Sequence, residues 1–280
     1  MGKQKEHNQA SIPKKKKKKK KSIVFILIQI SLLSVFLYSA YHIGIYGVEY
    51  FNNRRVTRGL QTIFHDALAN AENDSPDNGE YGGYGSYNNS AGRNQSAFQA
   101  LQQVNAEIRA WITIPETNID YPVVQYVDDI RYLSFNVYGR RNANGAIFMD
   151  YRNDPVNLTQ NTILYGHNMN NRTMFQNLTR FRQESFFRRA RTLRFSTVNR
   201  TYTGEIFAVY TIRTSEDRFD YIQTVFHSDE AFAAYLEEVS RRNMFRTDVV
   251  VTAQDRILTL STCTNVHADE RLVVVARLVP

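Results

Sequence analysis

The chain has 280 residues, 42% of them hydrophobic, and a formal net charge of +8, enough for one ordinary folded domain plus appendages. All ten lysines fall within the first 21 residues, eight of them as the run Lys14 to Lys21, with Glu6 the only acid there. The remainder sets 25 Arg against 26 Asp and Glu, and a domain so near neutrality has no reason to bind a phosphate backbone strongly, which excludes nucleic acid as a partner.

Directly after the lysines, Ser22 to Val48 reads "SIVFILIQISLLSVFLYSAYHIGIYGV", with His42 its only titratable residue apart from tyrosines. About 25 helical residues reach about 37 Å, against a hydrocarbon core of about 30 Å, so a single transmembrane helix is expected over residues 22–48. A cleaved signal peptide carries a shorter apolar stretch, about 7–15 residues. Tyr38, Tyr41, Tyr46 and Tyr50 also suit a membrane interface. Basic residues ahead of the span place the tail, residues 1–21, in the cytoplasm and everything after the span outside.

Glu49 to Asn70 is expected to form a stalk helix, with Val56, Leu60, Ile63, Phe64 and Leu68 at helical spacing. Ala71 to Gln95, rich in Gly, Asn, Ser and Tyr, is expected to be a flexible linker, so that residues 49–95 join the span to a folded domain over residues 96–280. That domain opens on a helix from an N-cap at Ser96, with Phe98, Leu101, Val104, Ile108 and Trp111 on one face. Strand signals then dominate: "WITIP", "IDYPVVQY", "GAIFMD", "NTILYGH", "RTLRFST", "GEIFAVYTIR", "RILTLSTC" and "RLVVVARLV". Short helices are expected at residues 173–180 and 184–189, and a longer one at 229–241 with Phe232, Tyr235, Leu236 and Val239 facing inward. Eight strands in one domain predict a mainly β barrel or sandwich. There are no repeats, no Gly-rich phosphate loop and no zinc-like cluster of Cys and His.

The single cysteine, Cys263, closes the strand "RILTLSTC". It has no disulfide partner, so it is either a small buried hydrophobe or a reactive group, and a reactive thiol needs a base or cation nearby. Arg271 opens the next strand. If the loop "TNVHADE" joins the two, Cys263 and Arg271 share a sheet end, where the guanidinium either donates to a developing oxyanion or simply pairs with Asp269 or Glu270. Of six histidines, His7, His42 and His65 lie ahead of the domain. His167, just past the buried strand "NTILY", is the first candidate base; His227 precedes a helix, and His267 sits in the loop after the cysteine, where a base is poorly oriented.

"TLSTC" followed by an Arg that opens the last strand, with Tyr-Gly-His upstream, resembles the sortases, membrane-anchored cysteine transpeptidases of Gram-positive bacteria. "WITIPETNIDYPVVQ", "AIFMDYRN", "TILYGHNM" and "MF" soon after the histidine resemble class B in particular, over about residues 98–280. Papain-like hydrolases place Cys before His; here the order is reversed. The resemblance implies an eight-stranded β-barrel with added helices. It implies that Cys263 attacks a Thr carbonyl in a C-terminal sorting signal, giving a thioacyl enzyme, that His167 protonates the leaving amine and later deprotonates the incoming one, and that Arg271 holds the oxyanion. The partners implied are surface proteins bearing that signal and an amine of a lipid-linked peptidoglycan precursor. Alternatives are a pilin lysine as acceptor, or a tethered binding domain without activity. Ser261, Tyr221, Ile222 and Leu133 are implied to line the substrate groove. In "DDIRYL" the usual Asn is Asp129, a departure that bears on motif preference. No cofactor or metal is implied.

Overall fold

The computed structural model describes residues 23–73 and 86–280; the basic tail (1–21) and the central part of the expected linker (74–85) lie outside them. Two compact units are present, residues 1–52 and 53–280. Helix α1 (Ile23–Asn73) contributes to both. Its first part, Ile23–Ile45, is long and apolar enough to cross a membrane.

In the larger unit, α2 (Ser86–Val104) precedes β1 (Ile108–Thr113), β2 (Asp120–Val124), β3 (Ile147–Met149) and β4 (Asn161–Tyr165). A 3-10 segment, Phe175–Arg182, leads into α3 (Glu184–Arg189), β5 (Thr192–Thr197) and β6 (Thr201–Arg213). Then come α4 (Asp229–Arg242), β7 (Arg256–Cys263) and β8 (Glu270–Val279). Every expected strand forms, and they close into a barrel in the order β1-β2-β3-β4-β7-β8-β6-β5. Closure removes the open edges that eight short strands would otherwise expose.

Two pairings in the barrel are parallel, β2 with β3 and β4 with β7. The interior is filled by alternate residues such as Ile112, Val123, Leu164, Leu260 and Val274, joined by Phe175, Phe181 and Phe187 from the 3-10 segment and α3. A second core lies under α4, whose Phe232, Tyr235, Leu236 and Val239 meet Phe207, Tyr210, Val273 and Val275. The helix starts where the Ser228 Oγ accepts the Ala231 amide at 3.2 Å. Asp229 and Glu230 in its first turn and Arg241 and Arg242 in its last complement the helix dipole.

The N-terminal boundary differs from expectation. The helix that was to start at Ser96 is under way from Ser86, and the Ser96 hydroxyl donates back to the Gly92 carbonyl instead of capping. Asn94, expected in a flexible linker, is buried, and its amide donates to the Thr197 carbonyl at 2.9 Å and the Thr201 hydroxyl at 3.0 Å. The same helix stops at Val104, not Trp111. Asn105 turns the chain, its side-chain oxygen accepting the Glu107 amide at 2.8 Å, so Ile108 and Trp111 belong to β1.

The part of α1 read as a stalk is packed against the barrel: Leu60 and Phe64 are buried with Phe98, Leu101, Trp111 and Phe148. Phe64 stacks on Trp111, ring centroids 4.3 Å apart and planes 10° from parallel. Deleting a buried ring costs about 3–5 kcal/mol. Phe64→Ala is therefore expected to destabilise this unit by about that amount in denaturant unfolding, and to shift the emission of Trp111, the only tryptophan, to longer wavelength before global unfolding.

Candidate active site

The parallel pairing of β4 with β7 sets Tyr165 opposite Ser261, so the residues that follow, Gly166-His167 and Thr262-Cys263, leave the sheet at the same end. Three hydrogen bonds bind these two ends together. The Gly166 amide donates to the Ser261 carbonyl (3.3 Å), the Thr262 hydroxyl to the Gly166 carbonyl (2.7 Å), and the Asn168 side-chain amide to the Cys263 carbonyl (2.9 Å). Asn265, just past the cysteine, returns a fourth, to the Asn168 carbonyl at 3.0 Å. On the other side of β7, antiparallel β8 sets Arg271 directly opposite Cys263. Three residues from the ends of three adjacent strands thus stand at one sheet end, with Cys263 free and half-buried.

Arg271 does not pair with the neighbouring acids. Its guanidinium donates to the Ala268 carbonyl at 2.9 Å and the Glu270 carbonyl at 3.2 Å. Asp269 accepts from Ser215 and faces Arg213, while Glu270 accepts from the Thr264 hydroxyl at 2.5 Å. The guanidinium is held at the strand end by uncharged backbone carbonyls.

His167 is fixed from two sides. Its Nε2 lies 2.8 Å from the Leu133 carbonyl oxygen. Behind the ring is Gly145, at φ +60°; a Cβ there would lie 2.4 Å from the Tyr132 carbonyl oxygen and 3.2 Å from the His167 ring. Gly166 meets Ile147 and Phe175 so closely that a Cβ would come within 2.5 Å of one and 2.8 Å of the other. Glycine is therefore required on both sides of the histidine. The other histidines are elsewhere: His65 pairs with Asp120 at 2.9 Å, and His227 and His267 are exposed.

Of the residues expected to line a groove, Ser261 and Tyr221 meet, Oγ to phenol oxygen at 3.0 Å, both buried. Burial pushes the Tyr221 phenol above its usual range, and both Arg271 and Cys263 are close enough to act on it electrostatically. The Tyr221 carbonyl accepts from the Tyr235 hydroxyl at 2.8 Å, which ties this loop to α4. Ile222 is half-buried, and Leu133 exposes its side chain while its carbonyl holds His167.

A charged network that sequence reading missed lies beside these residues. Asp150 is fully buried and takes two hydrogen bonds from Arg152 (2.8 and 2.7 Å) and one from the Tyr165 hydroxyl (2.8 Å). Burial works against its carboxylate, but these donors outweigh it and hold Asp150 below the usual carboxylate range. Arg152 also donates to the Ile222 carbonyl at 2.9 Å, pinning the loop that carries Tyr221. Asp150 and Arg152 stand in the "AIFMDYRN" stretch; their spacing is visible in sequence, their reach to residue 222 is not.

Asp129 completes this edge, accepting the Tyr151 amide at 3.0 Å. Burial first, and the Asp150 charge second, push its carboxyl up to about 6. Below the usual carboxylate range Asp129 is neutral in both folded and unfolded chains and has no effect. As pH rises the unfolded chain ionises first, so the fold loses stability up to about pH 6 and bears the full penalty above it. Asp129→Asn keeps the acceptor for Tyr151 and removes the charge. Its melting temperature is expected to exceed the parent's at pH 7, by about 2–4 °C per kcal/mol relieved, and to match it near pH 3.5 in calorimetry across that range.

The family model described as the sortase domain matches residues 112–279, more than half of the chain. Sortase B of Listeria monocytogenes is 35% identical over 249 residues, covering 88% of this chain and 93% of that protein. Among solved structures, sortase B of B. anthracis in complex with AAEK1 aligns with a TM-score of 0.67 and 38% identity, over 83% of this chain and 98% of that one. A Staphylococcus aureus sortase B–substrate complex aligns with a TM-score of 0.71 and 30% identity, over 83% and 98%. With a closed eight-stranded barrel that holds Cys, His and Arg at one sheet end, these likenesses establish that the chain belongs to the sortase family and is a class B sortase, a cysteine transpeptidase.

Proposed function

We propose that this sortase cuts a C-terminal sorting signal after Thr and joins the released carboxyl end to an amine of a lipid-linked peptidoglycan precursor, with Cys263 as nucleophile, His167 as general acid and base, and Arg271 as oxyanion donor. The observation that carries this reading is the strand register: His167 and Cys263 on parallel neighbouring ends, and Arg271 across from Cys263.

In the first half-reaction the Cys263 thiolate attacks the Thr carbonyl carbon. A C–S bond forms, the C–N bond to the next residue breaks, and the leaving amine takes a proton from His167. In the second, an incoming amine gives its proton to His167 and attacks the thioester, and the thiolate leaves. Negative charge develops on the same carbonyl oxygen in both, so one fixed guanidinium serves both. Tyr221, Ser261, Ile222 and the side chain of Leu133 are assigned to the groove that orients the signal, supported by the hydrogen bonds that fix Tyr221 and its loop. The substrate complex of the S. aureus relative supports a substrate-binding groove in this chain.

The apolar part of α1 serves as the anchor, single-pass, with the basic tail in the cytoplasm and the catalytic unit outside. This topology keeps the site near the membrane surface, where lipid-linked precursors are found, and on that ground wall anchoring is preferred to joining pilin subunits.

Cys263→Ala is expected to abolish peptide cleavage and labelling by thiol-reactive sulfonates, with the fold intact by circular dichroism. His167→Ala should lose about 10²–10⁴-fold in kcat/KM, and the same change at His227 or His267 little. Arg271→Lys keeps the charge but not the forked donor geometry, and should fall by about tenfold or more in both half-reactions. Turnover persisting without Cys263, or loss at His267 in place of His167, would refute the assignment.

Acceptor choice is read by mass spectrometry of products from Asn-Pro-x-Thr-Asn-like and Leu-Pro-x-Thr-Gly-like peptides, with a peptidoglycan stem amine or a pilin lysine peptide. The expected product is a Thr–amine adduct that grows with stem-amine concentration. Free acid alone at every acceptor would make the enzyme a protease.

A further inference from the structure

A cavity of about 170 Å³, separate from the cysteine site, lies between the juxtabarrel part of α1 and the barrel, lined by Arg54, Thr57, Arg58, Gln61, Tyr121 and Thr173 among others. The four α1 residues are spaced i, i+3, i+4 and i+7, so they share one helix face. At about 30 Å³ per water, the space holds several waters or one small polyatomic anion.

The lining is cationic. Among the described residues, no Asp or Glu borders the cavity. The nearby acid, Asp120, is already satisfied by Trp111 (2.7 Å), Thr113 (2.9 Å) and His65 (2.9 Å). Arg58 is exposed and makes no ion pair or hydrogen bond among the described residues. Several lining amides are committed elsewhere, Gln61 to the Asp120 carbonyl and Asn144 to Thr173. The uncommitted donors are the Arg58 guanidinium and the hydroxyls of Thr57 and Tyr121, the latter accepting the Met174 amide at 3.3 Å and free to donate its own proton. Arg54 adds a second charge: burial pushes the Tyr121 phenol up to about 12, and Arg54 is near enough to pull the other way. A forked guanidinium, a second cation and two hydroxyls in a cleft without acids form a donor set for tetrahedral oxyanions.

We propose that this cleft binds a phosphate group, and that its source is the headgroup of an anionic phospholipid. The lipid source rests on the anchoring reading above. Arg54 follows the last residue of the apolar span, Ile45, by nine positions. Even fully extended, nine residues reach only about 30 Å, which bounds how far the cleft can stand from the membrane surface once the span is inserted. A headgroup held there would fix the orientation of the catalytic unit on the membrane, because the cleft is built on the barrel strand that carries Tyr121 as well as on α1.

The test uses the full chain in dodecyl maltoside micelles, titrated with dihexanoyl phosphatidylglycerol, dihexanoyl phosphatidylcholine or inorganic phosphate, with binding read by native mass spectrometry. The expected result is one saturable phosphatidylglycerol per chain, bound at least tenfold more tightly than phosphatidylcholine. Affinity should fall at least tenfold in the double variant Arg54→Gln, Arg58→Gln. Both side chains are exposed, so the fold is not at risk, and unchanged Trp111 emission verifies it. Thr57→Trp, which fills the cleft without altering charge, should weaken binding equally. Arg188→Ala with Arg246→Ala, which removes the same charge from a different cavity, should not. Inorganic phosphate binding as tightly as phosphatidylglycerol, with the same dependence on Arg54 and Arg58, would keep the phosphate site and overturn its lipid source. The same result would follow if the chain proved not to be anchored while phosphate still bound. Affinity unchanged in the Arg54, Arg58 variant, equal loss in the Arg188, Arg246 variant, or no binding of any probe would overturn the site itself.

Discussion

The parallel pairing of β4 with β7 is the constraint on which the rest depends. Parallel neighbours cannot be joined by a tight turn; the chain must leave one end and return to the other. Here the return takes in the 3-10 segment, α3, β5, β6 and α4 before β7 begins. The outcome is that two residues 96 positions apart, His167 and Cys263, emerge side by side. With antiparallel pairing they would lie at opposite ends of the barrel. The hairpin from β7 to β8 then brings Arg271 back to the cysteine at almost no entropic cost, since its loop is short. One long-range pairing and one local one build the site, and the glycines at 145 and 166 let the backbone come close enough to hold the histidine.

The edges of the site are made rigid by polar groups, not by apolar packing. Asp150, Arg152 and Tyr165 form a satisfied buried network, and its outermost hydrogen bond reaches the loop of Tyr221 and Ile222. Removing one member of such a network leaves the others buried and unpaired. Asp129 stands next to this network as a second carboxylate, and its burial, followed by the Asp150 charge, is why its ionisation is disfavoured.

The barrel was legible because each strand is a short β-branched or aromatic run between turn formers, and all eight appear at the expected places. The helix over α4 was legible for the same reason at a different period. The errors have one physical origin. In residues 96–111 the apolar spacing continues through Asn105, and local pattern cannot tell that its side chain takes over the next turn's amide. In residues 86–95 a composition rich in Asn and Gly describes a free chain, whereas Asn94 is held by two partners from strands more than 100 positions away. Phe64 and Leu60 carried the helical signal, but nothing local says what a helix face meets. The site divides in the same way. That Cys263, His167 and Arg271 stand at one sheet end was foreseeable from their places at strand ends; their roles belong to the proposal. Thr262, Asn168 and the reach of Arg152 depend on register, which only the folded chain supplies.

The hydrogen bond from His167 to the Leu133 carbonyl carries one more consequence. A carbonyl oxygen can only accept, so Nε2 must be the protonated ring nitrogen while that contact lasts. Any route through Nε2 first requires the imidazole to turn away from residue 133. Residue 133 ends the short 3-10 turn Arg131–Leu133 and exposes its side chain, so a shift of that turn would free the ring from this contact. The rotational freedom of the ring is in this way set by one backbone oxygen of a surface turn.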